Sequence, residues 1–234
     1  GQAFLPSIYE LLHAEQKLEQ NAAALLGLQK GKLRIGVFTS VSVHLLPEIL
    51  KAFSKDYPNI QVELEFGDYD EIADALEHGT LDCGFLNISS STNLDIIELR
   101  QDPLLAVLPL GHPLGQKPSL RFEDLLSEPF IMPCGGPKYE LGKLISNCEA
   151  PLNIRYNVPE DYSAIALIKA GLGCSVLPEL ILTDFRDDVA ICKLSDPDAY
   201  RVISLGTPSL QKCSLAAKAF LQFVQKNFSG HRAE

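Results

Sequence analysis

From Leu33 onward the sequence switches repeatedly between two periodicities, and this alternation constrains the fold more than any other feature. Leu33, Ile35 and Val37 step two residues apart, as one face of a strand does. Leu45, Leu46, Ile49, Leu50 and Phe53 then recur at helical spacing. Val62, Leu64 and Phe66 return to period two, separated by Glu63 and Glu65. Ile72, Ala73 and Leu76 mark a helix that Gly79 ends, and 81–87 reads as a short strand. A β-α-β-α-β order with short links predicts a parallel sheet with helices on its faces.

A second set of such units follows. Strands are predicted at 104–108, 130–132, 153–158 and 174–177, with helices at 139–148 and 165–170, the latter closed by Gly171. After 189–194 comes a strand at 201–205. A final helix over 212–228 carries Leu215, Ala219, Phe220, Phe223 and Val224 on one face. Two α/β lobes fit this order better than one wide sheet. The polar, turn-rich stretches 88–102 and 192–199 are the expected crossings, with the last strand and helix returning to the first lobe. A cleft between two lobes is the default place for a small ligand.

Residues 2–29 read as one long helix, because no glycine interrupts them before Gly27 and Pro6 sits in the first turns. Phe4, Ile8, Leu11, Glu15, Leu18, Ala22 and Leu25 follow a 4-3-4-3 spacing, a coiled-coil seam with one polar member. The expectation is a dimerisation helix paired with a second copy; packing on its own domain is the alternative.

Composition removes several function classes. The net charge of −10, with no basic cluster denser than Lys30, Lys32 and Arg34, argues against this chain holding nucleic acid by itself. No apolar run reaches the length of a membrane span and no secretory leader opens the chain. The six cysteines form no Cys-x-x-Cys and no metal spacing, so they read as small buried hydrophobes of a reducing cytoplasm. No nucleophile elbow, metalloprotease motif or phosphate loop is present, so neither catalysis, a metal nor a cofactor is expected.

The chain resembles the effector-binding domain of LysR-type transcriptional regulators. The resemblance runs through Gly31-Lys32-Leu33-Arg34-Ile35-Gly36, Leu46-Pro47, Tyr57-Pro58 and Gly67. It continues through Gly79-x-Leu81-Asp82-x-Gly84-Phe85, His112-Pro113-Leu114, Asp124-Leu125, Ala170-Gly171-Leu172-Gly173 and Leu177-Pro178. It implies two Rossmann-like α/β lobes joined by two hinge strands, the type 2 periplasmic-binding-protein fold. Lobe I would be 31–96 with 194–229, lobe II 97–193, and 1–30 the linker helix. It implies an effector in the cleft, a homodimer or homotetramer, and contact with DNA and RNA polymerase only through a full-length protein. The opening Gly1-x-x-Phe4-Leu5 looks like the end of a DNA-binding module, so a helix-turn-helix is expected upstream. A solute-binding protein of a transport system with the same fold is the competing reading.

Loops at the carboxyl ends of strands should line the cleft. In lobe I these are Thr39, Ser40, Val41 and Ser42; Gly67 and Asp68; and Leu86 and Asn87. In lobe II they are Pro133, Cys134, Gly135 and Gly136, then Pro159 and Glu160. Hydroxyls and backbone N–H groups at a helix start suit a carboxylate, although the same hydroxyls also suit simple capping, as does Asp68. None of these loops contains Arg, and Lys138 is the nearest cation, while Asp68, Glu160 and Asp161 lie close in sequence. A monocarboxylate, an amphoteric molecule or a modest aromatic acid is therefore expected rather than a polyanion. Cys134, at an expected helix start, is also a candidate thiol sensor.

Overall fold

The structure, a computed structural model, describes residues 31–87, 93–133 and 135–229, together with positions 4, 8, 11, 12, 14, 15 and 18. Of the predicted seam, Ile8, Leu11 and Leu18 are helical, and Phe4, Ile8, Leu11 and Leu18 are all exposed. Ala22 and Leu25 lie outside the described residues, as does most of the predicted 2–29 helix.

The chain divides into two compact units, 1–100 with 202–232 and 101–201. The sequence expectation set the crossings at 96/97 and 193/194. The structure carries one strand, β4 (Asp95–Leu108), through the first crossing and another, β10 (Tyr200–Thr207), through the second.

In the first unit β1 (Gly31–Val37) lies between β2 (Ile60–Phe66) and β3 (Cys83–Asn87), parallel to both, with Leu33 opposite Val62 and Ile35 opposite Cys83. β10 closes the sheet antiparallel to β3, Ile203 facing Asn87. The helices are α1 (Thr39–His44), α2 (Leu46–Asp56), α3 (Tyr69–Glu77) and α6 (Leu215–Phe228). Alternate residues of β1 are wholly buried, and Phe53 of α2 meets Phe220 of α6 edge-on at 5.2 Å.

The glycine-rich signature 79–84 is explained by packing. Gly79 takes φ 70° just past α3, a conformation that side chains disfavour. A Cβ on Gly84 would come 2.5 Å from Ile72 of α3, so the helix sits directly on the strand only because that position is bare. Asp82 accepts the Arg34 backbone N–H at 2.7 Å, tying β1 to the start of β3.

In the second unit β4 residues 104–108 are flanked by β8 (Ser175–Pro178) and β9 (Ala190–Leu194), both antiparallel, and β5 (Ser119–Leu120) pairs β9 in parallel. β6 (Phe130–Met132) and β7 (Ile154–Asn157) form a parallel pair. The helices here are α4 (Leu141–Ser146) and α5 (Asp161–Lys169). One core gathers Leu104, Leu120, Phe122, Phe130 and Leu144; another gathers Val107, Ile131, Ile165 and Ile181.

Candidate functional site

The expected effector loops fall on both units. In the first unit the Thr39–Ser42 segment is not a loop but the opening turns of α1. Phe38 is the N-cap and supplies no side-chain bond, so the hydroxyls do not cap the helix as the capping alternative required. Ser42 Oγ donates to the Thr39 carbonyl at 2.8 Å; Ser40 and Val41 are buried, and Thr39 is half-buried. The first turn of a helix presents N–H groups along its axis, which favours a negative group there.

Gly67 is buried and leads into Asp68. Asp68 caps α3: Oδ1 accepts from Asp70 N at 3.0 Å and Glu71 N at 2.9 Å, and Glu71 accepts the Asp68 N–H at 2.9 Å. This reciprocal box engages Oδ1 of the Asp68 carboxylate and fixes the loop. Asn87, buried at the end of β3, accepts the Val202 N–H through Oδ1 at 3.4 Å, and Leu86 is fully buried beside it.

In the second unit Pro133 is buried, and Cys134 lies outside the described residues. Gly135 takes φ 74°, and a Cβ there would strike the Tyr139 ring; Gly136 takes φ 46°. The predicted 139–148 helix is shorter: a single 3₁₀ turn, Gly136–Lys138, precedes α4 at Leu141. Tyr139, at φ −112° and ψ −127°, is outside the helical region, so the helix starts only after it. Lys138 Nζ stands 5.2 Å from the centroid of the Tyr139 ring. Pro159 and Glu160 are exposed, and Glu160 is the N-cap of α5 through its backbone alone.

A buried charge cluster in the second unit was not legible beforehand. Asp102 is 0% exposed and Arg201 is 4% exposed. Arg201 Nε donates to Asp102 Oδ2 at 2.8 Å, and Nη2 lies 2.7 Å from the same oxygen. Asp102 Oδ1 accepts the Leu180 N–H at 3.0 Å, and Arg201 Nη1 stands 3.6 Å from Glu140. Asp102 lies at the start of this unit's part of β4 and Arg201 at the end of its part of β10, so the pair clamps both strands where the chain changes unit.

Cys83, Cys174 and Cys192 are buried as expected, whereas Cys148 and Cys213 are only half-buried. Burial pushes the Cys174 thiol up to about 12 and also raises Cys83, Cys192 and Cys148. Those four thiols are kept protonated, the opposite of what a peroxide-reactive thiolate needs. Among the described residues no helix is long and apolar enough to cross a membrane, and no group of acidic, His or Cys side chains could hold a metal ion.

Comparison with known proteins agrees with this architecture. The family model of the LysR substrate binding domain matches residues 26–229. The chain is 30% identical to the uncharacterized HTH-type transcriptional regulator YvbU of Bacillus subtilis, over 97% of this chain and 78% of that protein. Among solved structures, the Synechocystis PCC6803 CcmR regulatory domain in complex with 2-PG superposes with a TM-score of 0.79 at 21% identity, covering 87% of this chain and 100% of that one. The effector binding domain of QuiR in complex with shikimate gives 0.78 at 21% identity, covering 87% and 99%. The chain therefore belongs to the LysR substrate-binding domain family, the effector-binding domains of LysR-type transcriptional regulators.

Proposed function

We propose that this chain senses a small anionic metabolite, with the effector held by the 39–42, 67–68 and 86–87 segments of the first unit and the 133–136 and 159–160 segments of the second. The observation that carries the reading is the start of α1. One residue past the central strand, Thr39, Ser40 and Ser42 open the helix, none of them as its N-cap, and Ser42 is held by Thr39. The absence of Arg from every one of these segments favours a single negative charge. QuiR, whose structure holds shikimate, a monocarboxylate, is a precedent for that class. Thr39→Val keeps the shape and removes one hydroxyl. It is expected to weaken a bound monocarboxylate about tenfold, one lost hydrogen bond to a charged group, without moving the melting temperature. Unchanged affinity by calorimetry would exclude this turn from the site.

Effector binding would then alter how copies of the protein associate, and through a full-length regulator its DNA complex and RNA polymerase contact. A homodimer or homotetramer in the cytoplasm is the form proposed. The first unit supplies a surface for association: β2 is an edge strand, and its Leu64 and Phe66 are exposed, Phe66 by 73%. Edge strands with apolar side chains are self-association templates unless covered. In the second unit β7 is exposed throughout, including Ile154 and Tyr156. Phe66→Glu is expected to lower the association state measured by light scattering while circular dichroism stays unchanged. An unaltered mass at micromolar concentration would remove β2 from the interface.

A further inference from the structure

In the second unit the 133–136 segment and the buried Asp102–Arg201 pair are joined through one stretch of chain. Backbone bonds run along it in overlapping turns. Gly136 N donates to the Pro133 carbonyl at 3.1 Å, Lys138 N to Gly135 at 3.0 Å, Tyr139 N to Gly136 at 3.4 Å and Gly142 N to Tyr139 at 3.2 Å. Packing tightens the same stretch. The Tyr139 ring lies where a Cβ on Gly135 would fall, and a Cβ on Gly142 would meet the Pro137 carbonyl. Chain packed this closely transmits a displacement instead of absorbing it.

Glu140 carries this stretch to the pair. Its side chain is 13% exposed, and Oε1 lies 3.6 Å from Nη1 of Arg201. A guanidinium is a planar fork, so its contacts are set together. Nε and Nη2 face Asp102 at 2.8 and 2.7 Å, while Nη1 faces Glu140. Asp102 in turn accepts the Leu180 N–H. Asp102 is the second residue after the chain enters this unit, and Arg201 is the last before it leaves. Both strands that carry the chain between units therefore meet one cation, which also touches the stretch continuing from 133–136.

We propose that Glu140 is a positioning residue that couples the 133–136 segment, through Arg201, to the two strands by which the chain changes unit. The proposal rests on the reading of 133–136 as an effector segment and names how that segment is regulated. A ligand that moves the turn moves Glu140 with it, and the guanidinium passes the displacement to Asp102. The coupling is reciprocal, so loosening the strands alters the affinity of the turn for its ligand.

Gly135→Ala displaces the turn without any ligand, because the added Cβ must push the Tyr139 ring. The test is amide hydrogen exchange on the full chain, read at Leu104 and Leu180. Their N–H groups bond the Ala199 carbonyl at 2.9 Å and Asp102 Oδ1 at 3.0 Å. Gly135→Ala should accelerate both about fivefold, the size of a coupling carried through packed side chains. Glu140→Gln keeps the shape and removes the charge, and in that background Gly135→Ala should change neither rate. Glu123→Gln, at an exposed acid of the same unit 3.2 Å from Arg121, should leave the full effect of Gly135→Ala in place. If Gly135→Ala unfolds the unit, Tyr139→Ala loosens the same turn, with the same dependence on Glu140 expected. Three results would overturn the proposal. One is unaltered Leu104 and Leu180 rates. Another is an undiminished effect in the Glu140→Gln background, which would make Glu140 merely stabilising. The third is an effect lost equally with Glu123→Gln, which would assign it to overall charge. No ligand enters the experiment, so its failure leaves the effector reading standing, and failure of that reading shows in ligand titrations instead.

Discussion

Asp102→Ala is expected to lower the unfolding free energy by about 3–5 kcal/mol, the cost of leaving a buried charge without its partner. Arg201, 4% exposed, would keep its guanidinium buried without the carboxylate that lies 2.8 Å from Nε and 2.7 Å from Nη2. The Leu180 N–H would lose its acceptor at the same time. The magnitude follows from asymmetry. Removing one partner costs far more than the intact pair contributes, since forming the pair already carried the desolvation of both ions. The double variant Asp102→Leu/Arg201→Met should therefore recover most of the loss. Urea unfolding checks this through the midpoint at constant slope. A loss below about 1 kcal/mol for Asp102→Ala would show that the pair is solvated rather than buried.

Phe53→Ala is the second large effect, again about 3–5 kcal/mol. The ring is 1% exposed and is enclosed by three others: Tyr57 stacked at 4.6 Å, Phe220 edge-on at 5.2 Å and Phe223 at 5.4 Å. Its removal leaves a cavity between α2 and α6 that rigid aromatic neighbours cannot close. Because each unit has its own core, the damage should be local. Amide exchange should accelerate in β1, α2 and α6 and stay unchanged in β6, β8 and α5. Uniform acceleration through both units would mean that they unfold as one.

Much of this fold could be read from periodicity, and the exceptions have physical causes. β1, β2 and α2 were plain because their apolar residues obey a single period. The first half of β4 was read as a polar crossing because Asp95, Glu98, Arg100, Gln101 and Asp102 dilute the pattern and Pro103 interrupts it. Yet Ile97 and Leu99 alternate into the core. α1 was read as a loop since Thr39, Ser40 and Ser42 are poor helix formers; its place between strand and α2 overrides that preference. Asp68 showed both its possible roles in the sequence, and only the geometry resolved it as a cap.

The buried pair was invisible for a different reason. Asp102 and Arg201 are 99 residues apart, and each looks like an ordinary surface charge when read alone. Only the pairing of distant strands turns them into partners.

The central claim is that this member of the LysR substrate-binding domain family senses a small monoanion. A thermal-shift titration of the purified chain against a metabolite panel tests it most directly, with monocarboxylates, aromatic acids and amino acids set beside di- and tri-anions such as citrate. The account predicts a concentration-dependent rise in melting temperature for at least one monocarboxylate or amphoteric compound, lost or weakened in Thr39→Val. A rise for a tri-anion and for nothing else would contradict it.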